Sequence, residues 1–477
     1  MLNRSDTHAT PAQTWVQELP WQDPDAIVDA WGDAPWCAFL DSGGPVEARS
    51  RWQIFCTNPK HTFLVHKGVL VWGRGQQQCG TPQAVMGALR ALLPKVTHLP
   101  NKALPELPFF GGLIGFFGYA FGATLQGVSS QTSAEEPECA FGFYDHAFVW
   151  DRQEKRAFVT GFTVPGETPE QSLAQQNALC AAWHSVGQGR TLVTPALPRL
   201  AFKADQTAQA YCHAVAQAKD LIAAGDIFQV NITGRYTATL ENSFSDKQIY
   251  RALRRHAPAP FGAYMRCGGQ YTLHSSSPER FLQLNPQRGV SSRPIKGTAP
   301  RGATPAEDAL LAAELSRNEK ERAENLMIVD LMRNDIGRVA QIGSMSVPDF
   351  LAVERFAHVH HLVSQVQGVL DPTKDVFDLL QATLPPGSVT GAPKHRAMQI
   401  IDTLEASARG AYCGSIVRIG VEGRMDSSVI IRTFERSGQT LRIGAGGGVT
   451  ILSDPQQEYD EMCLKIEPFL RIFGAQP

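Results

Sequence analysis

Ser291-Ser-Arg-Pro-Ile-Lys-Gly-Thr-Ala-Pro-Arg-Gly302 is the stretch from which the chain is best read outward. It is a short apolar step carrying one lysine, closed by Gly297 and the Pro300/Gly302 pair, and it reads as a strand turning into a loop. Lys296 stands between Ile295 and Gly297, where its amine is expected to lie close to the backbone and away from bulk water. Three roles are open to it: a nucleophile, an anion ligand, or an ordinary surface lysine. Position alone favours the last, because most lysines are solvated. What the residue does therefore depends on its company.

Downstream, helical spacing predicts one long helix from about Pro305 to Arg333, then shorter helices near Asp375–Ala382 and Ala392–Glu405. Strands are expected at Gly414–Val421, Ser428–Glu435 and Thr440–Ala445, leading into Gly446-Gly447-Gly448 and a last helix from Pro455. Upstream lie short strands at Tyr271–His274 and Glu279–Leu284, a helix over Asp246–His256 and a strand over Ile227–Tyr236. A further helix starts near Asp205, its expected N-cap, with Tyr211, Val215, Ala218 and Ile222 on one face and Gly225 as its stop. Gly187–Pro198 reads as a linker, dividing the chain into an N-terminal region (1–190) and a C-terminal region (205–477). The first region is mainly strand-like: Trp36–Leu40, Trp52–Cys56, His61–Val65, Val69–Trp72, Phe141–Trp150 and Arg156–Phe162, with helices over Pro82–Leu93 and Pro169–Trp183. Strands and helices mixed without regular alternation argue for an α+β fold.

At 477 residues with 43% hydrophobic and 19% charged residues, the chain buries a large core. A net charge of −2 with dispersed Lys and Arg leaves no footprint for nucleic acid. Nine scattered cysteines without a Cys-x-x-Cys pair fit reduced thiols in a cytoplasmic protein. Leu107–Ala123 is uncharged but holds five glycines and is short for a membrane span, so it reads as a buried, glycine-kinked strand and turn.

Glu321 and Glu324 lie three apart on the expected long helix, and Glu458 and Glu461 three apart on the last one, so each pair shares a helical face. Brought together they would form the anionic all-oxygen site that Mg²⁺ prefers. Taken singly, each pair is more often a solvated face, and Lys465 reads equally as an i,i+4 partner of Glu461. Gly444–Gly448 offers backbone N–H groups to an anion but is neither a P-loop nor a dinucleotide fingerprint. The Pro385–Lys394 turn opens a helix whose N-terminus suits a carboxylate, or is simply a loop capped by Thr390. His358, His360 and His361 cluster without the further ligands of a zinc site. One of them is expected as a proton or hydrogen-bond donor, the others as packing or surface residues. No Gly-x-Ser-x-Gly elbow supports hydrolysis by an activated serine.

Assembled, these strings resemble the chorismate-utilising enzymes, a family that includes the large subunits of anthranilate and aminodeoxychorismate synthases and the isochorismate and salicylate synthases. The matching stretches run in family order from about residue 205: Ala218–Asn231, Ser276–Arg280, Arg293–Gly302, Ala323–Val339, His360–Ser364, Gly387–Met398, Ile431–Thr433 and Gly446–Gly448. Leu40-Asp-Ser42 and Gly111–Tyr119 extend it more loosely into the N-terminal region, where it implies a candidate amino-acid pocket and partner contacts. The resemblance implies a large anthranilate-synthase-component-I-like fold, with two interleaved sheet-and-helix subdomains forming a β-sandwich core. It also implies Mg²⁺ held by Glu321, Glu324, Glu458 and Glu461, and chorismate held by Tyr412, Arg432, Gly447 and Lys465 with Thr298 lining the ring. Glu279 matches the general acid at the C4 hydroxyl and His361 the active-site histidine. Gln229 stands where the water-adding branch has a lysine base. Lys296 stands where anthranilate synthases usually have alanine, which resembles the aminodeoxychorismate branch, where this lysine attacks ring carbon C2 or supports a carboxylate. Asn325, Leu452 and Ala257 depart from the family's frequent His, Asp and Asn. Chorismate amination for folate synthesis is the expectation, with ammonia from a glutamine amidotransferase subunit in a heterodimer, because no cysteine lies in a Gly-x-Cys-x-Gly setting. The rivals are an anthranilate synthase large subunit and a non-catalytic regulatory relative.

Overall fold

The computed structural model describes residues 12–476 apart from 74, 95, 99–105, 132–134, 165, 187–196, 242–243, 270 and 356–358. The linker read at Gly187–Pro198 and the side chain of His358 therefore fall largely or wholly outside the described residues.

Among the described residues two large sheets of thirteen and ten strands dominate, antiparallel except where Ala12–Leu19 pairs in parallel with Val96–His98, with a separate three-stranded sheet. Both large sheets are assembled from the two halves of the chain. In the larger, Phe261–Cys267 pairs with Ala38–Asp41, joining C-terminal strands to N-terminal ones. In the smaller, the junction is Ser415–Gly420 against Gly112–Phe117. Each half thus completes the other's sheets, giving the interleaved α+β architecture.

The sheets meet through aromatic side chains. Phe116 of the smaller lies 5.8 Å from Tyr271 of the larger, and Phe143 lies 5.9 Å from Phe162. Phe116 and Phe141 are fully buried, and burying such a side chain stabilises the fold by roughly 1.5–3 kcal/mol. The uncharged Leu107–Ala123 segment contains the strand Gly112–Phe117, all six residues buried, followed by the helix Tyr119–Leu125. Among the described residues no helix is long and apolar enough to cross a membrane. On one outer face the helix Pro169–Ser185 lays Trp183 against Phe148 (5.3 Å) and Trp150 (5.4 Å), making a second, smaller core.

Several local expectations are corrected. The long helix is two helices, Pro305–Arg317 and Glu319–Gly337, because Asn318 leaves helical geometry (ψ 113°) and its side chain caps the second by accepting from the Glu321 N–H at 3.1 Å. The helix Ala208–Ala223 is capped by Thr207, not Asp205, whose carboxylate instead accepts from the Arg235 N–H at 3.0 Å. Gly446–Gly448 does not form a turn. It lies inside the strand Thr440–Val449, paired with Asn231–Thr233. Thr390 is no helix cap either: its hydroxyl donates to the Gly387 carbonyl at 3.1 Å, and the helix Lys394–Leu404 follows Pro393.

Candidate active site

The small sheet positions the lysine. Ile295–Pro300 pairs with Val359–Val363, and the register shifts between Lys296 and Thr298. Gly297, at φ +82°, absorbs that bulge. A Cβ there would come within 3.1 Å of a Glu321 carboxylate oxygen, so the glycine also admits Glu321 to the strand. Half-buried Lys296 extends from this kink, and its Nζ donates to the Ser388 carbonyl at 3.4 Å. Its charge acts on Glu279, Glu321, Glu324 and Glu461 together.

Ser275–Ser277, expected as a turn, end the strand Tyr271–Ser277, and Glu279 follows it after Pro278, its carbonyl accepting from the Val429 N–H at 3.1 Å. Its side chain is buried. Burial raises its pKa above the ordinary carboxylate value, against a hydrogen bond from Ser388 and the charges of Lys296 and Arg432. Arg432 sits in the break between the strands Met425–Val429 and Thr433–Ser437, at φ +53°, with its carbonyl accepting from the Ser276 N–H at 3.0 Å.

The histidines separate by strand alternation. His360 is buried with Nε2 2.9 Å from Asp308 Oδ1, a packing role. His361, on the other face, has its ring hydrogen-bonded to the Gly297 backbone. Burial pushes it down to about 4, helped by Arg432 and Arg49, so it is neutral at pH 7. Thr298 pairs with His361 through the backbone.

The two carboxylate pairs come near enough to share the charge of Lys320. Glu321 and Glu324 occupy the first turns of Glu319–Gly337; Glu458 and Glu461 occupy the first turns of Pro455–Leu470. Glu324 and Glu458 are buried, and burial raises both Glu321 and Glu324. Burial also opposes the charge of Glu461, but Lys465 at 2.7 Å outweighs it and holds the carboxyl below its ordinary value. Lys465 also donates to the Gly446 carbonyl at 3.0 Å. The glycine run explains how helix and strand come so close. A Cβ on Gly447 would lie 2.8 Å from Glu458 Oε2, and one on Gly448 would lie 2.4 Å from Gln229 Nε2 and 3.5 Å from Glu324 Oε2. Buried Gln229 thus stands on the same side of Gly448 as Glu324, and its Oε1 has no hydrogen-bond partner among the described residues. Tyr412 packs its ring on Gly444 of the same strand.

The set suits a hard divalent cation in donor chemistry, being all oxygen and anionic. A cation already stands in: the Lys320 ammonium lies 3.2 Å from Glu458 and 4.0 Å from Glu324. Among the described residues no three such side chains close to metal-binding distance of one another, so the glutamates would have to draw inward around an ion.

Ser388 and Lys320 are the residues that sequence reasoning missed. Ser388 touches both Lys296 and Glu279 from within the quoted Pro385–Lys394 stretch; for Lys320 the one signal in the sequence is its i,i+4 spacing to Glu324. Lys394, in the same turn, is structural: it is buried, pairs with Asp335 and donates to the Thr383 (2.7 Å) and Pro385 (2.9 Å) carbonyls.

The chain is a member of the chorismate binding enzyme family, whose model matches residues 39–471. Within it, aminodeoxychorismate synthase component 1 from Klebsiella aerogenes is 39% identical over 459 residues, covering 95% of this chain and 97% of that protein. Anthranilate synthase component 1 from Thermus thermophilus is 37% identical, covering 89% of each. The crystal structure of anthranilate synthase component I from Streptococcus pneumoniae has a TM-score of 0.77 at 31% identity, covering 90% of this chain and 94% of that one.

Proposed function

We propose that the chain performs the aminodeoxychorismate synthase component 1 reaction, converting chorismate and ammonia to 4-amino-4-deoxychorismate on the route to para-aminobenzoate and folate. The observation that carries this reading is the 39% identity along nearly the whole chain to a component 1 of that name, joined to Lys296 at the centre of the site. The raised Glu279 is suited to protonate the leaving C4 hydroxyl. As the C4–O bond breaks, the Lys296 nitrogen, its ammonium having passed a proton to a neighbouring carboxylate, forms a bond to C2. Ammonia then bonds at C4 while the C2–N bond breaks, returning the electron pair to lysine. Gln229 offers an acceptor and no base, which suits ammonia better than water. Neutral His361 serves as a hydrogen-bond partner near the C4 oxygen.

Glu321, Glu324, Glu458 and Glu461 are the residues that would hold Mg²⁺. When bound, the ion supplies positive charge that anchors a substrate carboxylate. Arg432, Lys465, Tyr412, Thr298 and the Gly447 backbone are assigned to the substrate carboxylates and ring. Ammonia is assigned to a glutamine amidotransferase partner, since component 1 implies a second component, and the nine free thiols suit a cytoplasmic setting. Anthranilate synthase is the second reading, kept open by a relative of 37% identity. Chromatography of the product from chorismate, Mg²⁺ and ammonium separates them.

A further inference from the structure

The most crowded point of the site is occupied by a residue to which chorismate chemistry gives no role. Glu458 is 2% exposed and Glu324 7% exposed. Two carboxylates at that depth repel each other and have lost most of their hydration, which costs several kcal/mol per uncompensated ion. Lys320 supplies the compensation. Its Nζ lies 3.2 Å from Glu458 Oε1 and 4.0 Å from Glu324 Oε1, and its charge also acts on Glu321 and Glu461. Nothing about the helix favours a lysine there. Lys320 is in the first turn of Glu319–Gly337, where the dipole disfavours a cation. The four glutamates are what hold it.

A divalent ion and this ammonium cannot share that point. Mg²⁺ requires carboxylate oxygens at about 2.0–2.1 Å, so Glu324 and Glu458 would close on the ion, and an ammonium within a few ångströms of a dication is repelled. Lys320 has a way out. Its side chain is 34% exposed, and its flexible four-carbon stem starts at the end of a helix. We propose that Lys320 is a displaceable internal counter-ion: it holds Glu324 and Glu458 in place while no divalent cation is bound, and it must swing into solvent for the cation to enter. The inference rests on the magnesium reading above and adds to it a residue that sets cation affinity without binding the cation. Lys465 is a different case, because the side chain of its partner Glu461 is 49% exposed and its amine also bonds the Gly446 carbonyl.

The test is titration of the purified chain with Mg²⁺ by calorimetry, or with Mn²⁺ by electron paramagnetic resonance, in wild type and Lys320→Gln. Lys320→Gln is expected to bind the ion roughly tenfold more tightly. Its metal-free form is expected to melt lower than wild type and to gain more in Tm at saturating Mg²⁺. In wild type, reductive methylation followed by mass spectrometry should find Lys320 slow without Mg²⁺ and faster with it, a readout that needs no variant. Equal or weaker binding in Lys320→Gln, or a methylation rate that Mg²⁺ leaves unchanged or lowers, overturns the counter-ion role while the magnesium reading stands. No saturable binding in either chain overturns both.

Discussion

Two buried acidic clusters in this molecule use similar residues to opposite ends. Around Asp41, in the N-terminal half, the carboxylate is 3% exposed and fully engaged: Gln53 donates to one oxygen, Tyr250 (2.9 Å) and the Arg254 Nε (2.6 Å) to the other, and Arg254 also reaches Asp25. Around Lys296, four glutamates and Glu279 share Lys296, Lys320 and Lys465, and several of them are raised by burial that no partner cancels. Asp41's neighbours form a closed network, which holds two halves of the chain together. The second cluster is a surplus of negative charge against a strand stripped of side chains, the kind of arrangement that marks a binding site.

That contrast is open to direct attack. The largest effect is expected from Glu279→Gln, which removes the acid but keeps the shape. Turnover should fall about 10²–10⁴-fold with Tm unchanged or higher, as read by steady-state kinetics and calorimetry. The mirror experiment is Asp41→Ala, which leaves Arg254 and Tyr250 facing a gap. It should cost about 2–4 kcal/mol by urea unfolding while the folded fraction keeps its turnover. If Asp41→Ala spared stability and abolished activity, the two clusters would have been assigned the wrong way round.

Next is a pH effect. His361 is held near 4 in the fold and titrates near 6.5 when unfolded, so the unfolded chain binds more protons between those values. Stability therefore rises with pH through that window, and its contribution is fully present above about pH 6.5. Between pH 7 and 5 the loss from this residue is about 2 kcal/mol, and His361→Gln should flatten the profile by that amount. The smallest effect is Gly448→Ala. The added methyl would sit 2.4 Å from Gln229 Nε2, a flexible side-chain end that can move, so turnover should drop about tenfold with little change in Tm.

The sequence carried the bounds of several helices and strands, because periodicity is a local signal, but not the caps: Thr207 and Pro393 stand where Asp205 and Thr390 were expected. Asp246–His256 and Trp52–Cys56 have the bounds that periodicity assigns them. It did not carry the break at Asn318, because good helix formers stand on both sides of it and the interruption is one residue, which leaves helical geometry and caps the second helix with its side chain. Nor did it carry the strand Ala12–Leu19, which exists by pairing with Arg156–Phe162 far along the chain. Glycine in a strand reads as a turn until the partner strand is known, and Gly446–Gly448 owe their extended form to Asn231–Thr233. For the site, the glutamate spacing was legible, but what faces it was not. Ser388 and Lys320 matter because of who stands opposite them.

The central claim, amination of chorismate at C4 through a site built on Lys296, meets its most direct test in product identification. Purified protein with chorismate, Mg²⁺ and an ammonium salt should yield 4-amino-4-deoxychorismate, and Lys296→Ala should slow that product and divert the reaction toward an anthranilate-like route. Anthranilate or isochorismate from the wild-type chain, or an unchanged rate and product in Lys296→Ala, would contradict it.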